Sequence, residues 1–338
     1  WCADRRTPPP DRVASPPLPL ASGRRSQVVW RGAQALAVGA LLAVIVGLWV
    51  SPERTAELFW RGVVPLVPVL LLVHPTIWRN VCPLATLSIP TDARGSTGLE
   101  GSESGAGGEA PVPFWRPALL LLALIALRPL GLDESGPASA TLLMGLGTAA
   151  VLGRTRRRKA GFCNRHCPVL AVERLYGQSP LVDVGNARCG ECSRCTSRGC
   201  LDLSPEAASA QLLGPNRRSG GWLRTPLGVF AAVFPGIVLA FNTLPQDPSL
   251  ARVLGGFAAW GLSSGLISAL VVSLTGLSWR TGFRGLGAVS AALYLGSALP
   301  GVVEAWGWPE AGTAASVTGI ALALGWFLRA GRRRQPLV

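Results

Sequence analysis

Long apolar stretches alternate with short polar connections along most of this chain, and eight of the stretches are candidates for membrane spans. A helix needs about 20 mainly apolar residues to cross about 30 Å of hydrocarbon. The third and fourth stretches are the shortest. The pattern predicts an all-α polytopic membrane protein with about eight transmembrane helices. The predicted spans are residues 30–50, 57–77, 114–131, 138–153, 222–243, 250–274, 284–303 and 311–329.

The polar segments divide the chain into four predicted parts. Residues 1–29, rich in Pro and Arg, are expected to be disordered. Residues 30–153 form a four-helix membrane half, interrupted at 93–112 by a flexible Gly- and Ser-rich linker. Residues 154–221 form a small cysteine-bearing module on the cytoplasmic side, and residues 222–338 form a second four-helix half with a basic tail.

The composition agrees with a membrane protein. Only 15% of the 338 residues are charged, whereas soluble globular domains carry about 25%. The net charge is +14, and it is almost wholly due to arginine, since Lys159 is the only lysine. These arginines lie in short runs between apolar stretches, which favours cytoplasmic loops of a membrane protein over a nucleic-acid-binding surface.

The charges also predict an orientation. Loops rich in arginine stay on the cytoplasmic side, and eight crossings then place both termini and both cysteine-bearing loops there. We therefore expect a multi-pass membrane protein whose termini and cysteine-bearing loops face the cytoplasm. The opposite face collects Glu53, Asp133, Glu134, Asp247, Glu304 and Glu310.

Six of the eight cysteines follow a spacing typical of iron–sulfur proteins. Their order is Cys163-x3-Cys167-Pro168, then Cys189-x2-Cys192-x2-Cys195-x4-Cys200. Three thiolates two residues apart let one loop wrap a cubane cluster, and a remote cysteine followed by proline closes its fourth corner. Zinc is the structural alternative, but zinc sites usually combine separated cysteine pairs. The spacing predicts at least one [4Fe-4S] cluster.

The cysteines can be divided between one or two clusters. The first predicted ligand set is Cys167, Cys189, Cys192 and Cys195, and the second is Cys82, Cys163 and Cys200. Only three thiolates remain for the second iron–sulfur cluster, so it needs His166 or His74 as a further ligand, or it is trinuclear. The other interpretation is a single cluster with spare thiols.

His74 and His166 are the only histidines. A haem held by two histidines in a membrane would need both inside the helix bundle. His166 lies in a loop and His74 at a helix end, so an intrinsic haem is not expected. The structural interpretation of His74 is that it caps the end of a helix.

At Cys163-x3-Cys167-Pro168, directly after a span and before the cysteine-rich run, the chain resembles the membrane-bound polyferredoxins of the NapH, NosR and FixG type. The resemblance covers residues 74–90 and 155–203. It implies a bacterial inner-membrane protein that relays electrons between quinol or a soluble donor and a partner oxidoreductase. Three departures are visible: Trp78 replaces the expected first cysteine of the earlier Cys-Pro motif, only one close-spaced run is present, and Leu201 instead of proline follows Cys200.

No glycine-rich turn of the kind that binds flavin or nicotinamide nucleotides is present. The sequence therefore favours an electron-transfer subunit over a stand-alone enzyme. Its expected partners are membrane lipid, an oxidoreductase or an acidic donor such as a soluble ferredoxin or flavodoxin, and quinone as a further candidate, with no nucleic acid. The alternative is a membrane assembly or sensor protein with a structural iron–sulfur or zinc site. A transporter is disfavoured, because ionisable residues inside the spans are almost absent.

Overall fold

The computed structural model describes residues 24–88, 114–154, 162–163, 166–178, 180–182, 209–210, 212–217, 220–245 and 248–332. These residues are almost wholly helical, and none of them lies in a strand. The predicted all-α polytopic fold is therefore confirmed.

Helices of very different length make up the described chain. The first part contains α1 (Arg24–Val50), α2 (Pro52–Glu57), a π-helix (Leu58–Val63), α3 (Leu66–Val73), α4 (Pro75–Val81), α5 (Pro83–Ser88), α6 (Trp115–Leu127) and α7 (Gly136–Arg154). The second part contains α8 (Val169–Tyr176), α9 (Pro226–Thr243), α10 (Leu250–Thr275), α11 (Trp279–Ala305) and α12 (Gly312–Arg332). Short 3-10 helices occur at Arg128–Leu130, Gly214–Arg217, Gly221–Arg224 and Pro309–Ala311.

Seven helical segments of the described chain are long and apolar enough to cross a membrane, which makes this a multi-pass membrane protein. They are Val28–Val50, Pro52–Val73, Gly136–Gly153, Pro226–Thr243, Leu250–Thr275, Trp279–Ala305 and Pro309–Arg329.

The remaining predicted span, residues 114–131, forms a helix shorter than expected. Its α-helical part, α6, has 13 residues, which is short of the length that hydrocarbon requires. Pro129 explains the early end, because proline lacks an N–H and clashes with the preceding helical turn. The chain tightens into the 3-10 helix Arg128–Leu130, and Gly131 then adopts a left-handed φ of 93°.

Helix α6 lies alongside α9 at both of its ends. Phe114, at its start, contacts Phe230 near the start of α9, with ring centroids 5.8 Å apart. Arg128, just after its end, lies 5.1 Å from the ring of Phe241 near the end of α9. Helices α6 and α9 therefore run parallel over this distance.

Three of the long helices, α9, α10 and α11, begin at side-chain caps. Thr225, Ser249 and Ser278 each accept a hydrogen bond from the backbone N–H three residues later, at 3.1, 3.4 and 3.3 Å. Such caps satisfy donors that the first helical turn leaves free. In the second half, α9 packs closely on α10. A Cβ at Gly236 would lie only 2.0 Å from the carbonyl oxygen of Trp260, so this approach requires glycine.

Buried apolar side chains form three groups in the described chain. The largest joins α3, α6, α8, α9, α10, α11 and α12. A second surrounds Leu48, Trp60 and Ala140, at the end of the body where α1 meets the start of α7. The third lies at the opposite end and contains Cys82, Cys163 and Cys167. We call these three residues the thiol cluster and this end of the body the thiol end.

Candidate functional site

The thiol cluster joins two segments that are far apart in the sequence. Cys82 follows the last residue of α4, while Cys163 and Cys167 lie in the connection between α7 and α8. None of the three forms a disulfide bond with another described residue, and their exposed fractions are only 5%, 8% and 8%. The two cysteine-bearing loops therefore meet at one end of the helical body, as the sequence predicts for loops on one side of a membrane.

Each of the two segments places a cysteine immediately before a proline that begins a short helix. The backbone N–H of Cys82 bonds to the carbonyl oxygen of Trp78 at 2.7 Å, and Pro83 then opens α5. The backbone N–H of Cys167 bonds to the carbonyl oxygen of Phe162 at 3.2 Å, and Pro168 precedes the first residue of α8. Proline suits such positions, because the first helical turn leaves its N–H groups without partners inside the helix.

The surroundings of the thiol cluster are mainly apolar. Side chains of Ala85, Ala150, Phe162 and Leu170 are buried with the three cysteines, and Trp78 packs against them from the side. The hydroxyl of Ser88 lies 3.4 Å from Sγ of Cys163. The thiol cluster is thus shielded from water by the ends of α4, α5, α7 and α8.

Burial raises the pKa of the Cys167 thiol well above its usual range. The neighbouring Cys163, Cys82 and Glu173 raise this pKa further, and the backbone N–H of Val169 opposes them. A thiol in this environment is protonated at neutral pH when no metal is bound. A metal must displace that proton in order to bind, and its positive charge compensates for burying the thiolate.

A buried ion pair ties the two cysteine-bearing segments together. Nε and Nη2 of Arg79 donate to the two carboxylate oxygens of Glu173, at 2.5 and 3.0 Å. Arg79 lies one turn before Cys82, and Glu173 lies on α8 after Cys167. Both side chains are more than nine-tenths buried. A bidentate pair fixes orientation as well as distance, so it holds α4 and α8 in register beside the thiol cluster.

The three thiols of the thiol cluster can be compared with the ligands of known metal sites. Among the described residues, no three His, Cys, Asp or Glu side chains are arranged around a single metal ion. Thiolates of an iron–sulfur cluster bind different iron atoms, so they stand farther apart than the ligands of one ion. Soft thiolates in a dry apolar pocket also suit such a cluster.

Four of the predicted ligands, Cys189, Cys192, Cys195 and Cys200, lie outside the described residues, as does Cys2. The sequence groups Cys82 with Cys163, and the structure brings these two together. It also brings Cys167 to them, although the sequence assigns Cys167 to the Cys189 run. The division of the seven cysteines between two clusters stays a prediction, because Cys189, Cys192, Cys195 and Cys200 are not among the described residues.

The two histidines have different positions. His74 is buried, and its Nδ1 accepts the backbone N–H of Thr76 at 3.0 Å at the start of α4. His74 therefore caps the start of α4, which confirms the capping role expected from the sequence. His166 is exposed, next to Cys167. Neither histidine forms part of a single-ion site in the described chain.

Sequence reasoning missed the Arg79–Glu173 pair, and it missed a second site at the opposite end of the body. There the guanidinium of Arg128 lies 5.1 Å from the rings of both Trp60 and Phe241 and 3.4 Å from the carboxylate of Asp133. These aromatic contacts stabilise a partly buried cation. Arg128 thereby anchors the shortened α6 to its neighbours.

A cleft of about 710 Å³ lies along the C-terminal part of α12. Its lining includes Leu181, Gly325, Trp326 and Arg329. Trp326 is fully buried, and its Nε1 has no hydrogen-bond acceptor among the described residues. A side chain at Gly287 would contact both the Trp326 ring and the carbonyl oxygen of Leu175. The cleft is therefore adjacent to the C-terminal end of α8, the helix that follows Cys167.

Comparison with protein-family models, with curated proteins and with solved structures gave no match to this chain.

Proposed function

We propose that this protein is a membrane-anchored iron–sulfur electron-transfer protein that relays electrons between a soluble donor or quinol and a partner oxidoreductase. The observation that carries the proposal is the meeting of Cys82, Cys163 and Cys167 at one dry end of a multi-pass helical body. Three buried thiols that lie together without disulfides suit the ligation of a soft metal.

The chain's own residues supply position and shielding in this proposal. The Arg79–Glu173 pair fixes the two Cys-Pro segments, and Trp78 and Phe162 exclude water from the thiols. The backbone N–H of Val169 is directed at the Cys167 sulfur, and such donors tune the potential of a bound cluster. An iron–sulfur cluster, when bound, supplies reversible one-electron chemistry.

The connections between the helices indicate where in the cell the protein lies. We place the protein in a bacterial cytoplasmic membrane with the thiol end facing the cytoplasm, because the arginine-rich connections adjoin that end. Thiols remain reduced in that compartment, as a thiolate-bound cluster requires. The arginines between residues 154 and 158 would also attract an acidic donor such as a ferredoxin or flavodoxin.

The cleft beside α12 supports quinol as the alternative donor. It is lined mainly by apolar side chains, together with Arg329. Quinone carbonyl oxygens accept hydrogen bonds from a guanidinium group. Helix α8 has eight residues and extends about 12 Å, so the cleft and the thiol cluster lie at opposite ends of one short helix.

Anaerobic purification with iron, zinc and acid-labile sulfide analysis tests the proposal. We expect iron and sulfide in equal amounts and a paramagnetic resonance signal after dithionite reduction. We also expect Cys192→Ser to abolish the absorption of its cluster without preventing membrane insertion, with Cys2→Ser as the unaffected control. A colourless protein that contains only zinc would refute electron transfer.

A membrane assembly or sensor protein is the second candidate. The observation that favours it is the tight enclosure of the thiol cluster, which suits a structural site as well as a redox site. In that case the metal would stabilise the junction of α4, α5 and α8 and would resist dithionite. A reducible centre seen by paramagnetic resonance would exclude this candidate.

A further inference from the structure

We propose that the cleft beside α12 binds an anionic phospholipid, whose phosphate pairs with the guanidinium of Arg329 while an acyl chain occupies the apolar part of the cleft. The inference goes beyond the proposed function, since it holds whether or not the protein carries an iron–sulfur cluster. A quinol that uses this cleft has to displace the lipid.

The lining of the cleft follows one face of α12. Ala321, Gly325 and Arg329 are spaced four residues apart, so they lie one above another along the helix. Leu322 and Trp326 line the cleft beside them. The cleft therefore runs along the helix from apolar side chains to a guanidinium about 12 Å further on.

The position of Arg329 along α12 matches the level of the lipid head groups. Arg329 is the last residue of the apolar segment Pro309–Arg329, which is long enough to cross a membrane, and α12 ends three residues later at Arg332. Apart from Leu181, the other lining residues precede Arg329 in that segment. The apolar part of the cleft thus lies at the depth of the hydrocarbon, as an amphiphile with a charged head group requires.

The charge of Arg329 is not balanced within the described chain. Its side chain is exposed, and none of the ion pairs among the described residues includes it. The sequence adds further positive charge, because Arg332, Arg333 and Arg334 follow. A phosphate accepts two parallel hydrogen bonds from a guanidinium and also neutralises its charge. A quinone carbonyl offers only the hydrogen bond, so the charge favours the phospholipid.

The walls of the cleft are held by the helical body. Trp326 is fully buried, and its ring lies beside Gly287 of α11. Leu181, which lines the cleft without belonging to α12, donates its backbone N–H to the carbonyl oxygen of Leu72 at 3.2 Å. The volume of about 710 Å³ is within the range of about 300–1,000 Å³ that small-molecule sites have. The packing of the protein therefore sets the shape of the cleft.

The cleft is accessible from the bilayer. Leu328, another lining residue, is 61% exposed. A Cβ at Gly325 would meet no atom within 4 Å, so an acyl chain can approach the helix backbone there. A lipid in this position contacts α12 and Leu181 together. It therefore joins the last helix to the segment that follows α8, and we expect it to stabilise the protein.

Thermal unfolding in detergent micelles tests the inference. The delipidated full-length protein is mixed with phosphatidylglycerol, with phosphatidylcholine or with inorganic phosphate. We expect phosphatidylglycerol to raise the unfolding temperature more than phosphatidylcholine does, because only the former has a net negative charge. Inorganic phosphate should leave the unfolding temperature unchanged, because it lacks acyl chains. An equal effect of the two lipids, or stabilisation by inorganic phosphate alone, would overturn the inference.

Two exposed arginines provide a matched pair of variants. Arg329→Gln should weaken the binding of phosphatidylglycerol, counted by native mass spectrometry, about fivefold, as expected for one arginine beside anionic lipid. Arg252→Gln is the control, because Arg252 is also exposed and outside the ion pairs of the described residues, and it lies on α10, away from the lining of the cleft. Arg252→Gln should bind the lipid as the unsubstituted protein does. Equal binding by the two variants would overturn the inference.

Discussion

Arg79 and Glu173 form a bidentate ion pair between α4 and α8, with both side chains more than nine-tenths buried. The pair links the two segments that carry the thiol cluster. Removing one partner of a buried pair leaves an uncompensated charge and costs about 3–5 kcal/mol. We therefore expect Glu173→Gln to lower the thermal unfolding temperature of the detergent-solubilised protein and to loosen the thiol cluster.

The exposed pair Glu57–Arg61 provides the matched control for this substitution. Its atoms are 3.7 Å apart and its side chains are about half exposed or more, at 52% and 62%. Exposed pairs contribute about 0–1 kcal/mol, so Glu57→Gln should barely change the unfolding temperature. The double variant Arg79→Met/Glu173→Met should be more stable than Glu173→Gln, because it leaves no buried charge. Equal effects of Glu173→Gln and Glu57→Gln would contradict the structural role of the buried pair.

The fold was largely accessible from the sequence, since the apolar stretches have the length and the arginine-bearing ends that membrane spans require. The early end of α6 was readable in Pro129, but its path beside α9 depends on contacts of Phe114 and Arg128 with distant aromatic residues. No local pattern encodes such pairings.

The candidate site was only partly accessible for the same reason. Cysteine spacing indicates iron–sulfur chemistry, because the ligands of one loop are close in sequence. Arg79 could be read only as one more basic residue near a membrane surface, since its partner Glu173 lies in another segment. The proximity of Cys167 to Cys82 likewise results from the packing of α5, α7 and α8.

The raised pKa of Cys167 predicts how the cluster-free protein responds to pH. Burial is the main cause, followed by the neighbouring thiols and Glu173. An unfolded cysteine has a pKa of about 8.5, so the folded protein holds the proton more tightly than the unfolded chain does. The stability due to the neutral thiol is complete below pH 8.5 and is lost as the pH rises through the folded pKa.

Thermal unfolding of the cluster-free protein between pH 7 and 10 measures this effect. We expect the unfolding temperature to fall above about pH 8.5, and Cys167→Ser to flatten that fall because serine does not titrate in this range. Cys2→Ser, outside the described residues, is the control that should leave the curve unchanged. Identical curves for Cys167→Ser and the unsubstituted protein would show that the thiol is not buried.

A substitution at Gly325 tests the cleft beside α12. A Cβ at this position meets no atom within 4 Å, so Gly325→Leu can extend into the cleft without disturbing the helix backbone. We expect this variant to be reduced more slowly by a short-chain quinol and at an unchanged rate by dithionite. Gly301→Leu is the matched control, because Gly301 is also helical with open space around its Cβ. Equal slowing in both variants would exclude the cleft as the quinol site.

Trp78→Cys tests the correspondence between the two Cys-Pro segments. Trp78 lies one helical turn before Cys82, whose N–H bonds to its carbonyl oxygen, so a cysteine there faces the thiol cluster from the position that Cys163 occupies in the other segment. We expect the added thiolate to join the thiol cluster and to change the paramagnetic signal of the iron–sulfur cluster. Trp78→Ser creates the same space, at a cost of about 3–5 kcal/mol, and should leave the signal type unchanged. Identical spectra for the two variants would contradict the correspondence.

The path of the chain predicts which positions face the same side of the membrane. Helix α7 has 19 residues and extends about 28 Å, so Glu134 before it and His166 after it lie at opposite ends of the body. Both are exposed. In a background with Cys2 and the four cysteines of the run replaced by serine, an impermeant maleimide should label Glu134→Cys and Glu310→Cys on intact cells. His166→Cys and Asn216→Cys should react only after the membrane is permeabilised, because arginine-rich connections stay in the cytoplasm. Labelling of Glu134→Cys and His166→Cys from the same side would mean that α7 does not cross the membrane. A complete reversal of the labelling pattern would leave the fold intact and would refute only the predicted orientation.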